Sequence, residues 1–235
     1  RQMNAHKVAI LVDGGFYRKR ATTLFGPKSG EERAEELFNY CLSHLWVKSE
    51  KANPRELYRI FYYDCEPITG CLFNPISQKN IILDKTEAYK WSMNFLAALK
   101  QRRKVALRLG SLAMHSPFIL KYEKLKELGA GKIEWKDIRP EDLTINLEQK
   151  GVDMRIGVDI SSLAFKRQVD RIILISGDSD FVPAAKQARR EGIDFILDPM
   201  GAHISDELFE HIDGLQTRIK SVKKKPKHPL LPPPK

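Results

Sequence analysis

Asp178 and Asp180 lie in SGDSDFVP, residues 176–183, directly after the apolar run RIILI and directly before the helical pattern AAKQARREG. Asp13 stands in the same kind of position, ending KVAILVD ahead of Gly14 and Gly15. In open α/β sheets the ligand crevice lies beyond the carboxyl ends of the strands, so these acids are placed where chemistry is done. Carboxylates held close together raise one another's pKa and resist joint ionisation unless a cation neutralises them. Oxygen ligands without a neighbouring His/Cys cluster select a hard ion, Mg²⁺ or Mn²⁺, over zinc. Such an ion activates water and stabilises a leaving oxygen in phosphodiester cleavage.

A fourth acid comes from GVDMRIGVDISSLAFK. With Asp153 at 0° and about 100° per residue, Ile156 falls near 300°, Ile160 near 340°, Leu163 near 280° and Ala164 near 20°. Asp153 is thereby predicted on the buried stripe, at the open N-terminal end of its helix, where the dipole and an aqueous cleft tolerate a charge. Asp159, near 240° on the same wheel, belongs to the flank and ranks second. Each acid also has an ordinary reading. Asp13 suits a turn, Asp180 suits the N-cap of a helix from Phe181 with Pro183 in its first turn, and Asp153 suits a cap of its own helix. Taken together, acids at three helix or strand ends on one sheet edge favour a site.

The elements that must position these residues alternate along the chain. Strands are expected at residues 7–13, 57–64, 104–109, 171–176 and 193–197. Helices are expected at 31–48, with Trp46 on the apolar face, and at 87–103, 118–128, 152–166, 181–190 and 205–212. Gly14-Gly15 reads as a flexible loop, CEPITGCLFNP as a punctuated loop, and residues 129–148 as holding one or two strands. This alternation predicts a mostly parallel sheet with helices on both faces. One domain is expected over 1–219, with an insertion within about 50–145.

At 235 residues, with 30% charged and 42% hydrophobic residues, the composition is that of a globular chain. No apolar run approaches the roughly 20 residues that cross a bilayer, and no signal-peptide pattern opens the sequence, which predicts a soluble cytoplasmic protein. Of the formal charge of +10, six units come from lysines in residues 220–235, a Pro/Lys-rich tail expected to be disordered. The rest is mildly basic and permits a polyanionic partner. Cys41, Cys65 and Cys71 form neither a disulfide framework nor a zinc site. His6, His44, His115, His203, His211 and His228 show no ligand spacing and read as surface or packing residues.

QKGVDMRIGVDISSLA, LISGDSDFVPAAKQARREG, the opening VAILVDGG and the run DELFEHID together closely resemble the NYN domains of the LabA-like group in the PIN-like nuclease superfamily. The resemblance implies a PIN-like three-layer fold and a metal-dependent ribonuclease. By position, Asp13, Asp153, Asp178 and Asp180 would hold Mg²⁺ or Mn²⁺, Ser176 and Gly177 would shape the loop presenting Asp178, and Lys150 would lie beside the site within reach of a phosphate. Phe16 departs from the pattern, since many relatives carry Asn there. Single-stranded or structured RNA is the expected partner, with no membrane contact and a homo-oligomer allowed. Arg18, Lys19 and Arg20 are candidates for gripping its backbone, and Phe16 or Tyr17 for stacking on a base. The alternatives are a non-catalytic RNA-binding or protein-interaction module of the same fold and a haloacid-dehalogenase-like phosphatase. The latter lacks its second acid, because Gly15 follows Gly14 after Asp13.

Overall fold

The run HKVAILVD forms the central strand, and its continuous apolar character follows from burial on both faces. Ala9 and Leu11 enter one core cluster, while Val8, Ile10 and Val12 enter the other. The computed structural model describes residues 6–46, 55–114 and 117–222. In chain order the elements are β1 (His6–Asp13), α1 (Gly14–Phe25), α2 (Gly30–Ser43), β2 (Arg55–Cys65), β3 (Cys71–Asn74), β4 (Lys79–Ile82), α3 (Glu87–Lys100), β5 (Val105–Ala113), β6 (Phe118–Leu120), α4 (Tyr122–Gly129), β7 (Leu143–Ile145), β8 (Glu148–Lys150), α5 (Val152–Phe165), β9 (Arg171–Ile175), α6 (Val182–Arg190), β10 (Asp194–Asp198), α7 (Asp206–Glu210), β11 (Gly214–Leu215) and α8 (Ile219–Val222).

The sheet runs β11-β10-β9-β1-β2-β5-β8, parallel throughout except for β8 against β5. Tyr17 and Ala21 of α1, Leu37 and Cys41 of α2, and Phe95 and Leu99 of α3 cover one face. Ile156 and Ile160 of α5, Ala185 of α6 and Leu208 of α7 cover the other. From β1 the chain first builds outward through β2 and β5, then returns to the other side of β1 with β9 and β10. That reversal makes the carboxyl ends of β1 and β9 the topological switch point, where a crevice must open.

The expected three-layer α/β architecture is present, with several local differences. Gly14 and Gly15 are the first turn of α1, with no intervening loop. A Cβ on Gly14 would come within 2.5 Å of the Tyr62 hydroxyl and the Tyr63 carbonyl, so only glycine lets α1 start this close to β2. The punctuated stretch after β2 contains the β3–β4 hairpin, whose four-residue strands are too short to stand out from proline and glycine signals. Residues 118–120 are a strand paired with β7, and the helix starts only at Tyr122. The helix predicted to reach residue 48 ends at Ser43, and Trp46 is exposed beyond it. Within residues 50–145, β2 and β5 belong to the central sheet, while the β3–β4 hairpin and the β6–β7 pair stand outside it. Cys41, Cys65 and Cys71 are free thiols. Among the described residues no helix is long and apolar enough to cross a membrane. The basic tail from residue 223 lies outside the described residues.

Candidate functional site

Asp13 ends β1 and caps α1. Its Oδ1 accepts the Phe16 N–H (3.1 Å), and its Oδ2 accepts the Ser176 hydroxyl at the end of β9 (3.1 Å). Two adjacent strand ends are thus tied through one carboxylate. Ser176 is fully buried, and its oxygen also receives the Asp178 N–H at 3.4 Å. Asp178 caps the short 3₁₀ turn Ser179–Phe181 by accepting the Asp180 N–H at 3.0 Å. The capping role expected of Asp180 therefore falls to Asp178, because the 3₁₀ turn inserts ahead of α6 and moves the cap upstream.

A cavity of about 410 Å³ opens here, lined by Asp13, Phe16, Ser176, Asp178 and His203 among others. Burial is the main influence raising the Asp13 carboxyl pKa; the Phe16 and Ser176 hydrogen bonds oppose it, and the charges of Asp153 and Asp178 reinforce it. Asp153 is raised as well, by partial desolvation first and then by Asp178 and Asp180. The four predicted acids therefore form one electrostatic group. Among the described residues no Lys, Arg or His side chain pairs with any of them. Nor, among the described residues, do three or more His, Cys, Asp or Glu side chains converge closely enough to enclose an ion.

Asp153 shares the phase of the buried Ile160 and Ala164 but is exposed, because it stands in the first turn of α5, at the helix's open end. Asp159 lies outside the group, accepting the Tyr63 hydroxyl (2.8 Å) and Arg108 Nε (3.0 Å). Lys150 is exposed at the sheet edge and pairs with Glu148 at 2.6 Å.

The basic run on α1 divides in three. Arg18 is committed to Asp64 at 3.0 Å, Lys19 is exposed, and Arg20 donates to the Met200 carbonyl at 2.8 Å. Tyr17 is fully buried with its hydroxyl on Glu36, which removes it as a stacking platform. Phe16 keeps that possibility. Its ring lies over Gly177, where an added Cβ would stand 3.0 Å from it, and it walls the cavity without closing it.

His203 has no ligand spacing in the sequence and reads there as a surface or packing residue, yet it lines the cavity with Asp13 and Asp178. The signal that could have found it is its position just after the carboxyl end of β10, on the crevice side of the sheet. His44 is buried and bonded to Asp198 at 2.9 Å, a packing histidine as expected.

Residues 94–214 match the family model described as the NYN domain. The matched span holds Asp153, Asp178, Asp180 and His203 and leaves out β1 with Asp13. No curated protein matches the chain. Among solved structures, the crystal structure of a protein of unknown function from Vibrio parahaemolyticus is similar over 92% of this chain and 94% of that one, at 16% identity and a TM-score of 0.47.

Proposed function

The chain belongs to the NYN domain family, and from that membership and the acidic group around Asp13 we propose a LabA-like, PIN-like nuclease that hydrolyses RNA phosphodiester bonds with Mg²⁺ or Mn²⁺. The observation that carries this reading is a set of acids sharing one electrostatic neighbourhood at the topological switch point, with no protein cation paired to them among the described residues. An all-oxygen set fits Mg²⁺ or Mn²⁺. Mg²⁺ in particular keeps several waters and takes only one or two carboxylates from the protein, so a preassembled cage of three side chains is not required. When bound, the cation supplies charge neutralisation and a water acidic enough to attack at neutral pH.

In this reading Asp13 and Asp178 are the principal ligands, with Asp153 and Asp180 completing the negative field. The hydrogen bonds from Phe16 N–H and Ser176 fix both oxygens of Asp13, so the carboxylate meets its ion without reorganising. Phe16 offers an apolar wall on which a base can stack. The NYN unit spans residues 1–219, and the β3–β4 hairpin and β6–β7 pair are insertions that add surface for substrate.

The test is cleavage of labelled single-stranded RNA by the purified protein in Mn²⁺. Wild type should cleave and EDTA should stop it, while Asp178→Asn should lose activity by a factor on the order of 10² or more. Equal cleavage by Asp178→Asn would remove the acids from the mechanism.

A further inference from the structure

We propose that His203 holds a phosphate of the substrate backbone. This inference rests on the nuclease reading above and specifies where its substrate is gripped. Acids that await a cation repel the phosphate they must act on, so a productive site needs a donor facing the same space. Among the described residues lining the cavity, His203 carries the one side-chain N–H; Asp13 and Asp178 are acceptors, the Ser176 hydroxyl is already given to Asp13, and the short Ser179 hydroxyl is the other side-chain donor. An imidazole presents an N–H donor in its neutral and its charged form alike.

His203 is exposed, but the backbone that carries it is held on both sides. Asp198, at the end of β10, is fully buried and accepts the Met200 N–H through Oδ1 at 2.8 Å. Its Oδ2 is anchored by the Tyr40 hydroxyl (2.6 Å) and His44 Nε2 (2.9 Å). From α1, one turn beyond Phe16, Arg20 donates to the Met200 carbonyl, while the Ala202 N–H closes the turn on the Pro199 carbonyl at 2.8 Å. Met200 and Gly201 are both left-handed, at φ +48° and +71°. A non-glycine residue in that region is held against its preference by its surroundings. After His203, Ser205 caps α7 by accepting the Leu208 N–H. The buried Tyr40–His44–Asp198 network and the α1 arginine thus act on one turn, and the side chain this turn delivers to the cavity is His203.

Binding of a fluorescent twelve-nucleotide oligoadenylate in Ca²⁺ tests this without relying on turnover. His203→Ala should weaken binding about tenfold, the scale of one hydrogen bond to a charged group. His203→Gln, which keeps an N–H donor, should recover most of that loss. Both variants should melt with wild type, since the side chain is exposed. Wild-type affinity in His203→Ala, equal weakness in His203→Gln and His203→Ala, or no binding by wild type would each overturn the proposal. Cleavage of the same oligonucleotide in Mn²⁺ is scored separately. Binding that depends on His203 without cleavage would sink the nuclease reading and leave the phosphate contact standing.

Discussion

Asp64, Asp198 and Asp13 stand at or next to the carboxyl ends of β2, β10 and β1 in one sheet, and they differ in what meets them. Asp64, 4% exposed, receives Arg18 at 3.0 Å, the Tyr62 hydroxyl at 2.7 Å and Gln149 at 3.3 Å. Asp198, fully buried, receives Tyr40, His44 and the Met200 N–H. Asp13 receives one backbone N–H and one serine hydroxyl, while Asp153 and Asp178 add negative charge. A buried carboxylate that is paired and fully hydrogen-bonded holds structure together, whereas one left beside its own kind stores unfavourable energy. The flanking acids are satisfied by the protein. In the proposed reading the central ones await a cation.

The comparison is broken most severely on the flank. Asp198→Ala strands the Tyr40 hydroxyl, His44 Nε2 and the Met200 N–H inside the core, and should cost about 3–5 kcal/mol of stability in urea unfolding. A loss below about 1 kcal/mol would mean that these groups find other partners.

At the centre the sign reverses. An acid whose native pKa is raised contributes stability that is full below its ordinary value of 3.8 and is lost as pH rises through the higher native value. Asp13 and Asp153 shift in the same direction, so wild type in EDTA should lose stability over that window. Asp13→Asn should flatten the loss and raise the melting midpoint at neutral pH by about 2–4 °C, while Mn²⁺ should stabilise wild type and not the variant. A lower midpoint for Asp13→Asn would show that its hydrogen bonds outweigh its charge.

The smallest change belongs to Asp159. Its partner Arg108 is partly solvent-exposed, so Asp159→Asn should cost within about 1 kcal/mol and leave RNA cleavage unchanged. Lost cleavage would return Asp159 to the site.

Much of this edge was legible in the sequence. Parallel strands buried on both faces read as unbroken apolar runs, which is why KVAILVD and RIILI located the ends that carry Asp13 and Asp178. Burial at a helix end is less secure. Asp153 has the phase of the buried Ile160 and Ala164, yet it is exposed in the first turn of α5, where periodicity does not tell how far the covering elements reach. Short strands such as β6 and the β3–β4 hairpin pair with partners that local periodicity does not reveal. The charge state of the basic run on α1 was also hidden, because Arg18 is neutralised by Asp64, distant in sequence, and Arg20 is turned toward Met200. His203 escaped because a loop residue placed by a buried network has no spacing of its own.

Calorimetric titration with Mn²⁺ reads the difference between centre and flank directly. Wild type should bind, Asp159→Asn should bind equally, and the double variant Asp13→Asn with Asp178→Asn should lose binding. Undiminished Mn²⁺ binding by that double variant would contradict the assignment of the central acids as the cation site.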